Sequence, residues 1–457
     1  MNFILDTDSY KLSHFLGYPT NAQHIYSYAE SRGGKYPATV FFGLQKFVRE
    51  LAAVRITLAD IEEADAFAKA HGVPFNRAGW CRILYHHGGR IPVRIKAVAE
   101  GTIVPTRNVL VTVENTDPTM PWLTSYVETA LVRAVWYPTT VATRIHGMKQ
   151  RIKPYYDTTS DSGDMSFGVL DFSARGCSSR ETAEIGGMGH LLSFSGSDNI
   201  PAVRAALKYY DEPMAAFSVA ATEHSVTTSW GRDGEVASIE HLIENMMPKD
   251  GILSMVADTY NVYEYVKEVA KFQDRIRNKN GTVVIRPDSG DMHEVLPRVY
   301  QSMCELFDKT QNAKGYYVFD RAKVLQGDGI NEETVIEPFD IGMFHGVSAD
   351  SIMTGSGGGL MQANIDRDTC KFAFKASNVT IDGVDVPIAK DPITDPGKRS
   401  KMGRLALTST GNSYATMHVE AGDDVSWDQL RIVYEDGNLY NQQSLATIRE
   451  RLAAQEG

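Results

Sequence analysis

The segment GSGGG at 355–359 sets four glycines in five positions after an apolar run. Without side chains, backbone N–H groups there can approach an anion closely, as a phosphate cradle requires. It is neither G-x-G-x-x-G nor Walker A, because Leu360 follows and no G-K-[ST] comes next. A plain flexible turn is the competing reading. QGDG (326–329) and RPDSGD (286–291) each set an aspartate beside glycine or serine. A carboxylate so placed can accept hydrogen bonds from both hydroxyls of a ribose, and Arg286 can fork onto a phosphate. Singly, Asp328 and Asp288 could equally cap Asx turns. Three such loops together favour a sugar-phosphate site.

His224 lies in TEHS, just past the apolar run AAFSVA, and is one of 12 histidines. Most histidines in such a set are structural or exposed. A carboxylate beside it, Glu223 or another, could fix its tautomer and raise its basicity, which suits a general base or a phosphoryl acceptor. KRSKMGR (398–404) carries four basic residues in seven. It is either a solvated surface run or a basic rim that gathers phosphates. Tyr10 in TDSYK, and Phe172 with Arg175 in LDFSAR, could stack a flat heterocycle, or both rings could be core.

These groups sit in a chain of 457 residues with net charge 46 − 57 = −11 and 43 % apolar residues. That composition excludes a disordered chain, a collagen-like repeat and a small disulfide scaffold. The acidic balance argues against a nucleic-acid partner. Asp6 and Asp8 interrupt the N-terminus before any signal-peptide core forms, and no run of apolar residues is long enough to span a bilayer. Cys81, Cys177, Cys304 and Cys370 form no C-x-x-C pair. A reducing, cytoplasmic setting without membrane contact is expected.

Something must position the candidate residues. Residues 91–116 alternate apolar and polar positions and read as two or three antiparallel strands. Residues 122–153 read as helical segments broken at Pro138. From about 165 short apolar runs recur, at 165–176, 215–225, 251–260, 282–291, 323–329, 349–359 and 371–377, with helical periodicity between them, as at 294–309. Strand, polar loop and helix repeated in this way predict a closed or nearly closed βα barrel with its chemistry on the loops after the strands. The expected fold class is thus α/β. A mixed α+β domain at 1–167 precedes a barrel at 168–375, and 376–457 packs back to complete the first domain.

Beyond these readings, TDSYK (7–11), VFFGLQ (40–45), VENTDP (113–118), WYPTTVAT (136–143), GSD (196–198), EHS (223–225), IRPDSG (285–290), QGDG, GSGGGL (355–360), AKDP (389–392) and KRSKMGR occur in one order along the chain. In this the sequence resembles the nicotinamide phosphoribosyltransferase family, over nearly its full length. The resemblance implies a type II phosphoribosyltransferase, a homodimer with active sites at the subunit interface. It implies transfer of phosphoribose from 5-phosphoribosyl 1-pyrophosphate to nicotinamide in NAD salvage. It also implies ATP as co-substrate through a phosphohistidine, and Mg²⁺ held mainly through substrate phosphates.

The resemblance further implies roles. His224 looks like the phosphorylated histidine, with Glu223 beside it. Asp198 looks like the acceptor for the carboxamide NH₂, with Ser218 among the substrate-binding residues. Phe172 and Tyr10 look like the walls of the pyridine sandwich, Tyr10 coming from the second subunit. Arg286 looks like a contact to both substrates. Asp258 and Asp288 look like ligands of ribose hydroxyls or of the metal-linked network. Gly327, Asp328, Gly357 and Gly358 look like the ribose 5′-phosphate cradle. Arg175, Arg32, Arg367, Lys390 and Lys398 look like the pyrophosphate rim. A carboxylate at 198 pairs with an amide but repels the carboxylate of nicotinate, which disfavours a nicotinate-preferring enzyme. The retained set of site residues disfavours a catalytically weak binding dimer. Two departures stand out: the family's D-F-G-Y-R-G is DFSARG here (171–176), and its A-A-E-H is ATEH (221–224).

Overall fold

The structure, a computed structural model, describes residues 2–394, 398–411, 413–420 and 423–456. The chain forms two compact units. One comprises 1–143, 208–212 and 365–457, the other 144–207 and 213–364.

The first unit is built on a seven-stranded antiparallel sheet. Its order is Val384–Pro387, Phe372–Ile381, Ala22–Ser31, Val109–Asn115, Val93–Ala97, Arg431–Glu435, Asn438–Leu439. Tyr28, Phe41, Trp80, Val111 and Tyr434 lie in its buried core. Helix Leu58–His71 shows how local sequence and core agree. A Thr57–Asp60 capping box starts it, Gly72 at φ 82° ends it, and Ile61, Ala64 and Ala68 form its buried stripe. Residues 91–116 give three strands, Val93–Ala97, Ile103–Pro105 and Val109–Asn115. The middle one pairs with Ala38–Val40 outside the main sheet.

Three expectations change here. The helix expected to break at Pro138 instead runs unbroken over Glu128–Thr159. Proline removes a backbone donor and crowds the carbonyl four residues back. The neighbouring segment offsets this: Thr139 Oγ1 donates to the Phe42 carbonyl (3.0 Å) and accepts from the Phe42 N–H (3.2 Å). Gly43, at φ 100°, lies so close to the Pro138 ring that a Cβ there would meet Cγ at 2.3 Å. The run at 371–377 is not a barrel strand. It belongs to Phe372–Ile381, which pairs antiparallel with Ala22–Ser31 and buries Phe372 and Phe374 in the first unit's core. An apolar run reports burial, not which sheet it joins. The boundaries expected at 167 and 375 accordingly fall at 143 and 364.

The second unit is a parallel sheet in the order Val169–Asp171, Ile352–Ser356, Ala322–Gln326, Thr282–Arg286, Ile252–Val256, Ala220–Ala221. From the end strand Val169–Asp171, single parallel bridges, Asp171↔Ser197 and Gly196↔Phe217, lead through residues 196–197 to Phe217, three residues before the other end strand, so the sheet nearly closes on itself. Helices such as Arg180–His190, Glu235–Asn245, Val262–Ala270 and Met292–Leu306 cross between the strands. The crossovers satisfy the length that parallel pairing demands. No helix among the described residues is long and apolar enough to cross a membrane.

Candidate active site

Phe172, Arg175, Glu223, His224, Asp258, Asp288, Gly327, Asp328, Gly357 and Gly358 follow parallel strands of the second unit, at the end where barrel chemistry resides; Arg286 ends a strand, and Asp198 and Ser218 follow the single bridges at Ser197 and Phe217. His224 opens the short helix His224–Thr228. Its Nε2 lies 3.7 Å from Asp258 Oδ1 and 3.9 Å from Asp288 Oδ2. Its Nδ1 lies 3.4 Å from Thr259 Oγ1, which is bonded in turn to Thr227 Oγ1 at 2.7 Å. The His224 side chain is 47 % exposed and that of Asp258 only 9 %. Two aspartates and a threonine thus lie around the ring, and of the carboxylates expected there, Glu223 or another, the near ones are Asp258 and Asp288. The Glu223 carboxylate is exposed and accepts from Ser225 Oγ instead. Ser289 donates to the second oxygen of Asp258. Burial raises the Asp288 carboxyl; Arg286 and His224 oppose this, while Asp258 and Asp328 add to it.

Arg286 ends its strand and donates through Nη2 to the Thr222 carbonyl (3.0 Å). The Thr222 hydroxyl accepts from the Val256 N–H (2.9 Å). The threonine of ATEH therefore ties two neighbouring strand ends together. Gly327 leaves room for this corner, since a Cβ there would sit 3.0 Å from Asp288 Oδ1. Asp328, exposed, follows it.

A cavity of about 300 Å³ enters the barrel beside these groups. Phe172, Asp198, Ser218 and Arg286 line it, as do Phe167 and Phe217. Ser218 Oγ donates to Asp198 Oδ1 at 2.5 Å. The Phe172 ring lies over Gly355, where a Cβ would come within 2.1 Å of Cε2. The serine of DFSARG also has a place. Ser173 donates through its N–H (2.8 Å) and Oγ (2.6 Å) to Asp171, a wholly buried carboxylate that an unpaired site would penalise. Arg175 stays exposed on the turn Ala174–Gly176, outside the cavity lining. Gly357 and Gly358 follow the strand Ile352–Ser356, and Gly358 meets Gly176 so closely that a Cβ on Gly176 would lie 2.9 Å from its Cα.

Tyr10, Arg32, Arg367, Lys390 and Lys398 belong to the first unit and share a cavity of about 980 Å³ there. Arg107, Arg133, Lys371 and Lys375 line the same space, against Asp8, Glu128 and Asp368. A basic rim inside an acidic chain is thus gathered in one place. Buried Glu30 anchors it, accepting from Arg32 Nε (2.8 Å) and pairing with Lys401. Burial pushes the Lys375 ammonium down; Glu128 opposes this, and Arg32, Lys390 and Arg367 add to it. An anion in the cavity would relieve that crowding.

Sequence reasoning missed Phe217, Thr259, Arg107 and Lys375. Phe217 was hidden in an apolar run that reads as core, and Lys375 in a strand. Thr259, next to Asp258 on a loop after a strand, carried no signal of its own.

The comparisons with known proteins agree with this geometry. The nicotinate phosphoribosyltransferase (NAPRTase) family model matches residues 167–438, and the nicotinamide phosphoribosyltransferase N-terminal domain matches residues 2–95. The chain is 42 % identical, over 98 % of its length and 97 % of the relative's, to a nicotinamide phosphoribosyltransferase of Xanthomonas campestris pv. campestris (strain 8004). It is 29 % identical over 98 % of its length, and 96 % of the relative's, to one of Acinetobacter baylyi (strain ATCC 33305 / BD413 / ADP1). In fold it is similar to nicotinate-nucleotide pyrophosphorylase of Pyrococcus furiosus, with a TM-score of 0.63 at 16 % identity over 99 % of this chain and 95 % of that one. Human nicotinic acid phosphoribosyltransferase follows with a TM-score of 0.55 at 15 % identity, covering 98 % and 93 %. With a family model spanning most of the chain and a relative this similar along all of it, the protein belongs to the nicotinate phosphoribosyltransferase family.

Proposed function

We propose that this chain is a nicotinamide phosphoribosyltransferase. It joins nicotinamide to 5-phosphoribosyl 1-pyrophosphate, giving nicotinamide mononucleotide and pyrophosphate for NAD salvage. The observation that carries the reading is Asp198, paired with Ser218 at an aromatic pocket beside Arg286. A carboxylate there accepts a hydrogen bond from the carboxamide NH₂ and repels the carboxylate of nicotinate. Phe172 stacks on the pyridine ring. As the bond at C1 breaks, the ribosyl group gains positive charge, which Asp258 and Asp288 favour. The basic rim of the first unit suits an anion such as pyrophosphate, and the 5′-phosphate rests on Gly357 and Gly358 of the second.

The reading includes ATP, Mg²⁺, a homodimer and a cytoplasmic setting. His224 accepts the γ-phosphoryl group of ATP: a nitrogen–phosphorus bond forms and the bond to ADP breaks. Asp258 and Asp288 lie 3.7 and 3.9 Å from its Nε2, where they can orient the ring for the transfer. Among the described residues no cluster of three or more His, Cys, Asp or Glu could hold a metal alone. Asp258 Oδ1 is buried without a hydrogen-bond partner, and oxygen donors suit a hard cation. Asp258 and Asp288 would hold Mg²⁺ together with the substrate's phosphates, where it neutralises charge on the leaving pyrophosphate. A homodimer lets Tyr10 of one subunit complete the ring stack of the other.

The test is mononucleotide formation by chromatography, with nicotinamide or nicotinate, phosphoribosyl pyrophosphate, and ATP and Mg²⁺ each present or absent. Product from nicotinamide, dependent on Mg²⁺ and raised by ATP, is expected. His224→Ala should abolish ATP hydrolysis and lower product most at low substrate. Product mainly from nicotinate would refute the base assignment, and intact ATP hydrolysis in His224→Ala would refute the phosphohistidine. Sedimentation at monomer mass would remove the dimer.

A further inference from the structure

Behind the glycine loop lies a buried arginine that the steps above do not use. Arg144 stands on helix Glu128–Thr159 and is 3 % exposed. Its Nη1 donates to the carbonyls of Gly359 (3.0 Å) and Ala363 (2.9 Å), and its Nη2 to that of Asn364 (3.2 Å). Its Nε lies 3.5 Å from Glu332 Oε2. A guanidinium taken out of water is costly unless its donors are matched. Here three hydrogen bonds go to main-chain carbonyls of one loop, while the buried Nε has only the Glu332 carboxylate nearby. In a helical turn the carbonyls point one way and the N–H groups the other. Fixing the carbonyls at the far end therefore fixes the direction of the N–H groups at Gly357 and Gly358. The loop is also held on its opposite side. Ser356 Oγ donates to the Ile330 carbonyl at 2.6 Å, and a Cβ on Gly359 would lie 3.1 Å from that same oxygen.

We infer that Arg144 is a positioning residue for the phosphate cradle. It holds the turn Gly358–Met361 so that the loop's N–H groups are pre-aimed at the 5′-phosphate of the phosphoribosyl substrate. The inference rests on the proposed function for the identity of that phosphate. It differs in assigning a role to a side chain that touches no substrate. Glycine loops are floppy by nature, and pre-ordering this one spares the entropy that binding would otherwise consume.

The experiment compares wild type with Arg144→Lys, which keeps the charge but loses the planar fork, and with Arg144→Gln, which keeps two N–H donors without the charge. Ribose 5-phosphate binding is titrated by calorimetry, and KM is measured separately for phosphoribosyl pyrophosphate and nicotinamide. Near-UV circular dichroism identifies the folded variants. Expected is a loss of ribose 5-phosphate affinity and a rise in KM for phosphoribosyl pyrophosphate of about tenfold or more. KM for nicotinamide and kcat at saturating phosphoribosyl pyrophosphate should stay within about twofold. Wild-type phosphate affinity in a folded variant would overturn the inference. So would an equal loss for both substrates, which a merely structural residue would give. Calorimetry needs no turnover, so a wild type that makes no mononucleotide would refute the proposed function and still leave the binding comparison to decide on Arg144.

Discussion

Ser218 and Asp198 stand 20 residues apart, yet one hydrogen bond fixes the carboxylate at the mouth of the base pocket. A negative charge held by a hydroxyl is a poor partner for nicotinate and a good one for an amide. Asp198→Asn removes the charge and keeps the shape. It should narrow the ratio of kcat/KM for nicotinamide over nicotinate by about 100-fold, read from initial rates with each base. An unaltered ratio would remove Asp198 from the specificity argument. At this scale the sequence was informative at His224 and Asp288, polar residues just past apolar runs, and at Asp198 only through the family resemblance. It was silent where the partner is ordinary. Nothing about Thr259 marks it as a neighbour of His224 until the fold brings two loops together.

Among the elements, the barrel strands were legible because each apolar run ends in the polar residues that do chemistry. The strand Phe372–Ile381 was not, since period and burial are alike in both sheets. Pro138 misled for a related reason, because tertiary bonds from Phe42 outweigh a local helix penalty. The glycines carry a sharper element-level message. Gly355 lies in the strand Ile352–Ser356 under the Phe172 ring, with no room for a methyl group. Gly355→Ala should push the ring out of place and raise KM for nicotinamide by about tenfold, with little change in KM for phosphoribosyl pyrophosphate. A variant with wild-type nicotinamide KM would show that the ring's position is immaterial.

For the whole molecule, two buried carboxylates in the first unit set opposite limits on pH stability. Burial raises the Asp117 carboxyl, but hydrogen bonds from Arg82, His87 and Thr119 prevail and hold it well below the usual carboxylate range. Its contribution is present above about pH 4 and lost as pH falls. Glu100 is wholly buried and pushed up to about 7, in spite of the Gln45 N–H it accepts at 2.7 Å. The fold therefore favours the protonated Glu100. Stability from this group is full below about pH 4.5 and declines as pH rises through about 7, by on the order of 3 kcal/mol. Urea melts between pH 5 and 8 should show that slope, and Glu100→Gln should flatten it; an unchanged slope would acquit Glu100. The barrel has its own weak line. Where Asp171, Ser197 and Phe217 meet, single bridges replace full ladders, and Asp198 and Ser218 are the residues next along the chain. Such a stretch opens locally at lower cost than a ladder. It is a seam in the barrel wall, and the base pocket is stitched along it. Selection for a different ring could re-cut that seam while every other strand keeps its register.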